Sequence, residues 1–457
     1  MLQTLRARLA ADLAAADGTP NSMVIAQSVA RLISDGELVV GQRLPTVRDL
    51  ARELHVSPAT VSKAWGELVD LGLLTTRSRS GTTVASAETL HRTRFRTVRA
   101  SVADVDHLDL STGFPDRKLL PSLSSHLQRC ADRDFPASYL DAPTLADLDE
   151  ALRADWPYHV DRFVVVNGAL DALDSVFREV LRFGDRVIVE DPCFPPILDL
   201  LGLYGCEPVP VAIDEFGMRP ETFEAALAST PRAVVWQPRA HNPAGVTMSE
   251  QRVHELVACL DGTETIVIED DHAYGVVDSP AVSAGAVVPA RTVHIRSFSK
   301  AFGPELRLAA MSAPPELTSR LERRRLLGPG WSSRILQATL AEMLTDPDVR
   351  TEVDAAAATY AARHGRLVEW LRDRSVDVRS REGLNTWIPV ASERQAVEFA
   401  RLQGVIVAPG SPFMVTPSRE HFVRVTVALV PESRADEVAR VLMGSTSGSG
   451  SPARMVR

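Results

Sequence analysis

Apolar positions along the first ninety residues repeat with a helical period and then switch to short alternating runs. Between Met23 and Leu38, Val24, Ile25, Val29, Leu32 and Ile33 share one face, which predicts a helix stopping near Gly36. Leu44-Pro45-Thr46 opens a second helix, Val47 to Leu54, with Leu50, Ala51 and Leu54 inward. After the turn His55-Val56-Ser57, Ser57 is a good N-cap and Pro58 suits the first helical position. This third helix is expected to run to about Leu71 and to bury Val61, Trp65, Leu68 and Val69. Leu73 to Arg77 and Thr82 to Ala85 then read as two strands around Ser78-Arg79-Ser80-Gly81. Two helices joined by a three-residue turn and followed by a hairpin predict a winged helix-turn-helix, a fold that sets its second helix in the major groove of DNA.

The pattern changes after residue 86. Residues 87–106 have few large apolar side chains and carry His91, Arg92, Arg94, Arg96 and Arg99, as an exposed linker would. Beyond them, short apolar runs alternate with helical stretches, which predicts an α/β domain with a mostly parallel sheet covered on both faces. Five runs end in small, polar or acidic residues. Phe163 to Val166 leads into Asn167-Gly168-Ala169-Leu170, Val187 to Val189 into Glu190-Asp191-Pro192-Cys193-Phe194, and Ala233 to Trp236 into His241-Asn242-Pro243-Ala244-Gly245. Ile266 to Ile268 leads into Glu269-Asp270-Asp271-His272, and Thr292 to Arg296 into Ser297-Phe298-Ser299-Lys300. Open α/β sheets bind ligands at such strand ends. Residues 317–375 read as helices broken at Pro329 and Pro347, and His421 to Ala428 as a late strand carrying Arg424. A smaller C-terminal α+β subdomain and a disordered tail over 444–457 complete the expected order, with a helical extension over 1–21 at the other end.

Composition sharpens the division. The 457 residues are 45% hydrophobic, enough for a large core. The first hundred residues carry 13 basic and 9 acidic side chains, leaving 37 and 50 for the rest. A mildly basic module joined to an acidic one points to nucleic acid for the first and a small molecule for the second. Four cysteines without paired or metal-ligand spacing indicate neither disulfides nor a metal site and suit a reducing cytoplasm. No apolar run approaches the ~18 residues of a membrane span.

Lysine is scarce, which singles out Lys300. The only three lysines are Lys63, Lys118 and Lys300, against 47 arginines. A desolvated lysine amine can lose its proton and form a Schiff base with an aldehyde, which arginine cannot do. The Ser297 and Ser299 hydroxyls and the Arg307 cation are near enough in sequence to bind a phosphate beside it. Together they read as a pyridoxal phosphate (PLP) site. Gly168 and Ala169 precede a helix whose free N–H groups can hold that phosphate. Phe194 can stack on the pyridine ring, and Asn242 can donate to its phenolic oxygen. A carboxylate keeps the pyridine nitrogen protonated, a role for Asp270 with Asp271 as its rival. Arg424 can grip a carboxylate with two parallel bonds.

The segments Gly41-Gln42-Arg43-Leu44-Pro45-Thr46-Val47-Arg48-Asp49-Leu50-Ala51, Val56-Ser57-Pro58-Ala59-Thr60-Val61, Gly72-Leu73-Leu74 and Ser80-Gly81-Thr82 resemble the GntR family of repressor domains over residues 22–86. That resemblance implies DNA contact by Arg48, Ser57, Thr60, Lys63 and the wing near Gly81. Pro58 stands where many relatives carry arginine. Residues 107–443, beginning with Gly113-Phe114-Pro115-Asp116, resemble fold-type I aminotransferases, and the combination is similar to the MocR/GabR class of PLP-dependent transcriptional regulators. The resemblance implies an internal aldimine at Lys300, phosphate binding by Arg307 and Ser297, a carboxylate-bearing amino effector or PLP itself as the signal, and a homodimer in which Tyr139 reaches the neighbouring subunit's phosphate. Some relatives place the tyrosine partner three residues after the aspartate, which by resemblance would pair Asp271 with Tyr274; in others a tyrosine stands where this chain has His272, which could bond the phenolic oxygen instead. With Pro143-Thr144 in place of a usual glycine and Asp171 of a usual uncharged residue, turnover as an aminotransferase is the alternative to sensing rather than its companion.

Overall fold

The computed structural model describes residues 21–34, 37–39, 41–70, 73–77, 81–84, 94, 107–131, 133–135, 138–139 and 141–446. Apart from residues 21, 94 and 444–446, the expected N-terminal extension, linker and tail lie outside the described residues, as do the wing tip Ser78–Ser80 and Gly72.

The N-terminal module has helices Ser22–Ser34, Val47–Glu53 and Pro58–Asp70, then antiparallel strands β1 (Leu74–Arg77) and β2 (Gly81–Val84). Thr46 caps the second helix by accepting from Asp49 N at 3.2 Å, and Ser57 caps the third by accepting from Thr60 N at 3.1 Å. Ile25, Val29, Leu50, Val61, Trp65, Leu68 and Leu74 form its core. Val69 is not among them. It is 36% exposed, because it lies about 100° around the helix from Leu68.

The large domain opens on β3 (Leu108–Asp109) and builds an eight-stranded sheet from β4 (Val164–Val166), β5 (Arg186–Asp191), β6 (Glu207–Asp214), β7 (Gly217–Met218), β8 (Ala233–Trp236), β9 (Ile266–Asp271), β10 (Thr292–Ser297) and β11 (Ala309–Ser312). Their order is β4-β11-β10-β9-β8-β5-β6-β7. The β10–β9–β8–β5–β6 pairs are parallel, and β11 lies antiparallel between β10 and β4. Alternation sends Val187 and Val189 to the core under helix Ala169–Val180, while Ile188 packs with Phe223, Trp236 and Leu256 on the other face. Both faces are therefore covered, as a parallel sheet requires. The C-terminal ends of β4, β5, β8, β9 and β10 emerge along one edge.

Helices Pro315–Leu326, Arg334–Thr345 and Pro347–Arg372 follow, with the breaks expected at Pro329 and at Pro347, which opens the last of them. The 26-residue helix Pro347–Arg372, about 39 Å long, links the lobes. Val349 and Val353 pack in the large lobe, whereas Leu367, Val368 and Leu371 pack in the small one. The small lobe holds β12 (Thr386–Val390), β13 (Val405–Ile406), β14 (Ala408–Pro409) and β15 (His421–Val425). β12, β15 and β14 form an antiparallel sheet, and β13 pairs with β3, which ties the domain's first segment to its last lobe. The final helix, Ala435–Thr446, runs three residues beyond the expected boundary at 443.

Candidate cofactor site and nucleic-acid interface

Lys300 follows β10 in a turn whose apolar members, Phe298 and Phe302, are buried in the core. Its Nζ donates to Gly113 O at 2.7 Å and lies 5.4 Å from the centre of the Phe114 ring. The side chain keeps some surface, yet its amine is desolvated and lies near Arg424. These effects pull its pKa from 10.5 to about 8, against a smaller opposing effect of Asp270. A minor fraction is therefore already the free, nucleophilic amine near neutral pH, far more than an ordinary lysine would have.

Strand β9 runs through Asp271, so both aspartates sit on the strand rather than after it, facing different partners. Asp271 accepts from Arg239 at 3.1 and 2.6 Å, and His294 and Arg296 lie 3.7 Å away. Burial alone would raise its pKa, but Arg239 and His294 outweigh burial and hold it far below the carboxylate range. The rival pairing of Asp271 with Tyr274 does not form; Tyr274 packs edge-on to Phe298 and under Arg296. Asp270 is also buried, but among the described residues its carboxylate accepts only from Gln237 Nε2 at 2.8 Å, and Oδ1 has no partner. Burial, aided by Asp271 and Glu190, pushes it up to about 6. The half-buried His272 is driven down to about 4 by desolvation and by Lys300, and its enclosed Nδ1 has no partner.

Gln237 extends this cluster. Its Oε1 accepts from Asn242 N at 2.8 Å, and Asn242 Oδ1 accepts from Arg424 Nη1 at 3.2 Å. Arg424 Nη2 donates to Ser111 O, while Nε is buried without a partner. Desolvation lowers its pKa to about 10. Arg424 is thus buried and internally bonded rather than an outward-facing strand arginine. Gly113, at φ 69°, lets the guanidinium approach, since a Cβ there would lie 3.2 Å from Nη1.

The next cluster surrounds the start of helix Ala169–Val180. Gly168, at φ 99°, is its N-cap, and a Cβ there would meet Arg307 Nη2 at 3.1 Å. Arg307 is exposed, has a left-handed backbone (φ 49°), and donates to Asn167 O at 3.2 Å. Asp171, in the first turn, accepts from Asn167 N at 2.8 Å and from Arg325 Nη1 at 3.2 Å. Ser297 is buried with Ser299 N 3.4 Å from its Oγ, and Ser299 is half-buried. Phe194 caps helix Pro195–Leu203 and packs partly into the core beneath it. Tyr139 is 84% exposed and its ring lies 5.7 Å from that of Trp331. The Pro143-Thr144 departure is held by Gln337, which donates to Pro143 O at 2.9 Å and accepts from Leu145 N at 3.0 Å.

In the N-terminal module Arg48, Ser57 and Lys63 are exposed and Thr60 is half-buried. The Ser57 and Thr60 hydroxyls lie 2.8 Å apart, so part of their bonding capacity serves the helix cap. Gly81, at φ 79°, admits Arg43, whose Nε and Nη2 would lie 3.1 Å from a Cβ there. The sequence reading missed Arg43 as a cation at the wing. It also missed Gln237, Ser111 and Arg325. Gln237 alone carried a local signal, since it directly follows β8. Among the described residues no acidic, His or Cys group is arranged to hold a metal ion, and no helix is long and apolar enough to cross a membrane.

A winged helix joined in one chain to an aminotransferase lobe defines a class of regulator. Residues 105–442 match the family Aminotransferase class I and II, and residues 21–84 match Bacterial regulatory proteins, gntR family. The vitamin B6 salvage pathway transcriptional repressor PtsJ of Salmonella typhimurium is 32% identical over 91% of this chain and 96% of its own. The HTH-type transcriptional regulator TauR of Rhodobacter capsulatus is 26% identical over 91% and 94%. The kynurenine aminotransferase of Pyrococcus horikoshii superposes with a TM-score of 0.71 at 22% identity, over 79% of this chain and 96% of its own, which shows the fold. The chain belongs to the MocR-type regulators of the GntR family, in which a DNA-binding winged helix precedes an aminotransferase class I and II domain.

Proposed function

We propose that this chain is a transcriptional regulator that binds PLP at Lys300 and changes its hold on operator DNA in response. The observation that carries the reading is the pairing of a lysine at about pKa 8 with a buried carboxylate whose Oδ1 has no protein partner. A cofactor with an aldehyde and a protonated ring nitrogen suits both groups. When bound, PLP supplies the aldehyde for the Lys300 amine and a ring that withdraws electrons. Asp270 would hold a proton at the ring nitrogen. The free N–H groups after Gly168, with Arg307, Ser297 and Ser299, would hold the phosphate. Asn242 and His272 would serve the phenolic oxygen, Phe194 the ring face, and Tyr139 of a second copy the far side of the phosphate.

PLP itself is the leading signal. The PtsJ relative is named for vitamin B6 salvage, and two of the three Arg424 nitrogens are already bonded within the chain. A second reading, an amino compound with a carboxylate, rests on the burial of Arg424 beside the site with Nε unpartnered. Either ligand regulates only by binding one arrangement of the protein better than another.

The test uses full-length protein and an operator selected from random-sequence DNA. Wild-type protein mixed with PLP should develop a visible absorption band and alter its operator affinity, whereas Lys300→Ala should bind the operator and respond in neither way. A PLP response that survives in Lys300→Ala would overturn the proposal. Steady conversion of an amino donor and a keto acid would instead identify a working aminotransferase with an attached DNA module.

A further inference from the structure

Resting on the PLP reading above, we propose that Arg325 is a positioning residue for the cofactor's phosphate. It acts through Asp171, by neutralising a carboxylate that would otherwise repel the anion.

Asp171 is in the first turn of helix Ala169–Val180, beside the N–H groups available to a phosphate. A carboxylate there competes with an anion for the same positive end of the helix. One oxygen of the Asp171 carboxylate, Oδ2, accepts both from Asn167 N and from Arg325 Nη1. Arg325 is only 6% exposed, and its Nη2 is buried with no partner. Burying a guanidinium with an unsatisfied nitrogen is costly, so a purely structural role would be better served by an apolar side chain of similar size. Its carbonyl also receives Gly328 N at 2.9 Å and Gly330 N at 2.8 Å, which fixes the turn from which it projects.

Charge counting gives the consequence. Arg307, Arg325 and Asp171 together carry one net positive charge. Without Arg325 the set is neutral, and without both Arg325 and Asp171 it is again singly positive. The double substitution should therefore restore what the single one removes.

Equilibrium dialysis and absorbance titration with PLP, and in parallel with pyridoxal, which lacks the phosphate, separate this role from a structural one. Arg325→Gln is expected to weaken PLP binding about tenfold while leaving pyridoxal unchanged. Arg325→Lys should keep most of the affinity, and Arg325→Gln combined with Asp171→Asn should recover wild-type affinity. Equal losses for PLP and pyridoxal, or no recovery in the double variant despite a native unfolding midpoint, would overturn the proposal. Failure of wild-type protein to bind PLP at all would overturn the cofactor reading instead.

Discussion

The two ends of this chain use positive charge in opposite ways. In the winged helix, Arg48 and Lys63 are exposed, so each acts through water and is screened by salt. In the large domain, Arg239, Arg296 and Arg424 are buried and Lys300 is desolvated, so their neighbours are fixed and their proton affinities move. Exposed charges suit a surface that must meet a mobile polyanion. Desolvated ones suit a site where one proton or one carboxylate decides the outcome. Substitutions in the first region should therefore have small, salt-dependent effects, and those in the second should have large effects specific to each position.

The sharpest contrast lies between two adjacent residues of β9. Breaking a buried, bidentate ion pair from one side leaves an uncompensated charge and costs about 3–5 kcal/mol. Asp271→Asn, which strands Arg239, should lower unfolding free energy by that amount in urea titrations at pH 7. Asp270→Asn should be neutral or stabilising. Because the folded-state pKa of Asp270 is raised from 3.8 to about 6, the native form holds the proton more tightly, and stability from this group falls as pH rises between them. Asp271 has the opposite sign: its depressed pKa contributes stability above pH ~4 that is lost on acidification. Similar losses for the two variants would mean that the strand does not separate a structural carboxylate from a functional one.

This contrast also marks where sequence reasoning reached its limit. Local signals located β8 from Ala233 to Trp236 without error, because a buried apolar run ends there, and located the third helix from its Ser57-Pro58 start. Lys300 and Asn242 stood out as candidates because each follows a strand, and Asp270 and Asp271 because they close one. The choice between the two aspartates could not be read locally, since alternation puts them on opposite faces without saying which face carries Arg239. Arg325 is 154 residues from Asp171, and Ser111 is 313 residues from Arg424. Such pairings depend on the three-dimensional fold, which no local pattern encodes. Asp171 therefore read only as a charged residue in place of a usual uncharged one until its partner was known.

A smaller effect tests whether Lys300 is desolvated enough to matter. With a pKa near 8, the fraction of free amine rises about tenfold per pH unit below that value and levels off above it. The rate of PLP capture, followed by stopped-flow absorbance between pH 6 and 9, should bend near pH 8. A profile still climbing at pH 9 would place the amine in water and remove the contrast between the two regions.

The smallest expected effect belongs to Arg48. It lies on helix Val47–Glu53, next to the helix that starts at Pro58, and is exposed. If it contacts phosphate, binding releases one counterion on its account, and the slope of log affinity against log salt should fall by about 0.9 in Arg48→Ala, much the same for every DNA sequence. A loss confined to one sequence would instead make Arg48 a reader of base edges. In both cases the PLP spectrum should not change, because the described bonds of Lys300, Asp270, Asn242, Arg307 and Arg424 all lie within the large domain. An altered spectrum in Arg48→Ala would mean that the exposed and desolvated charges are coupled rather than merely joined in one chain.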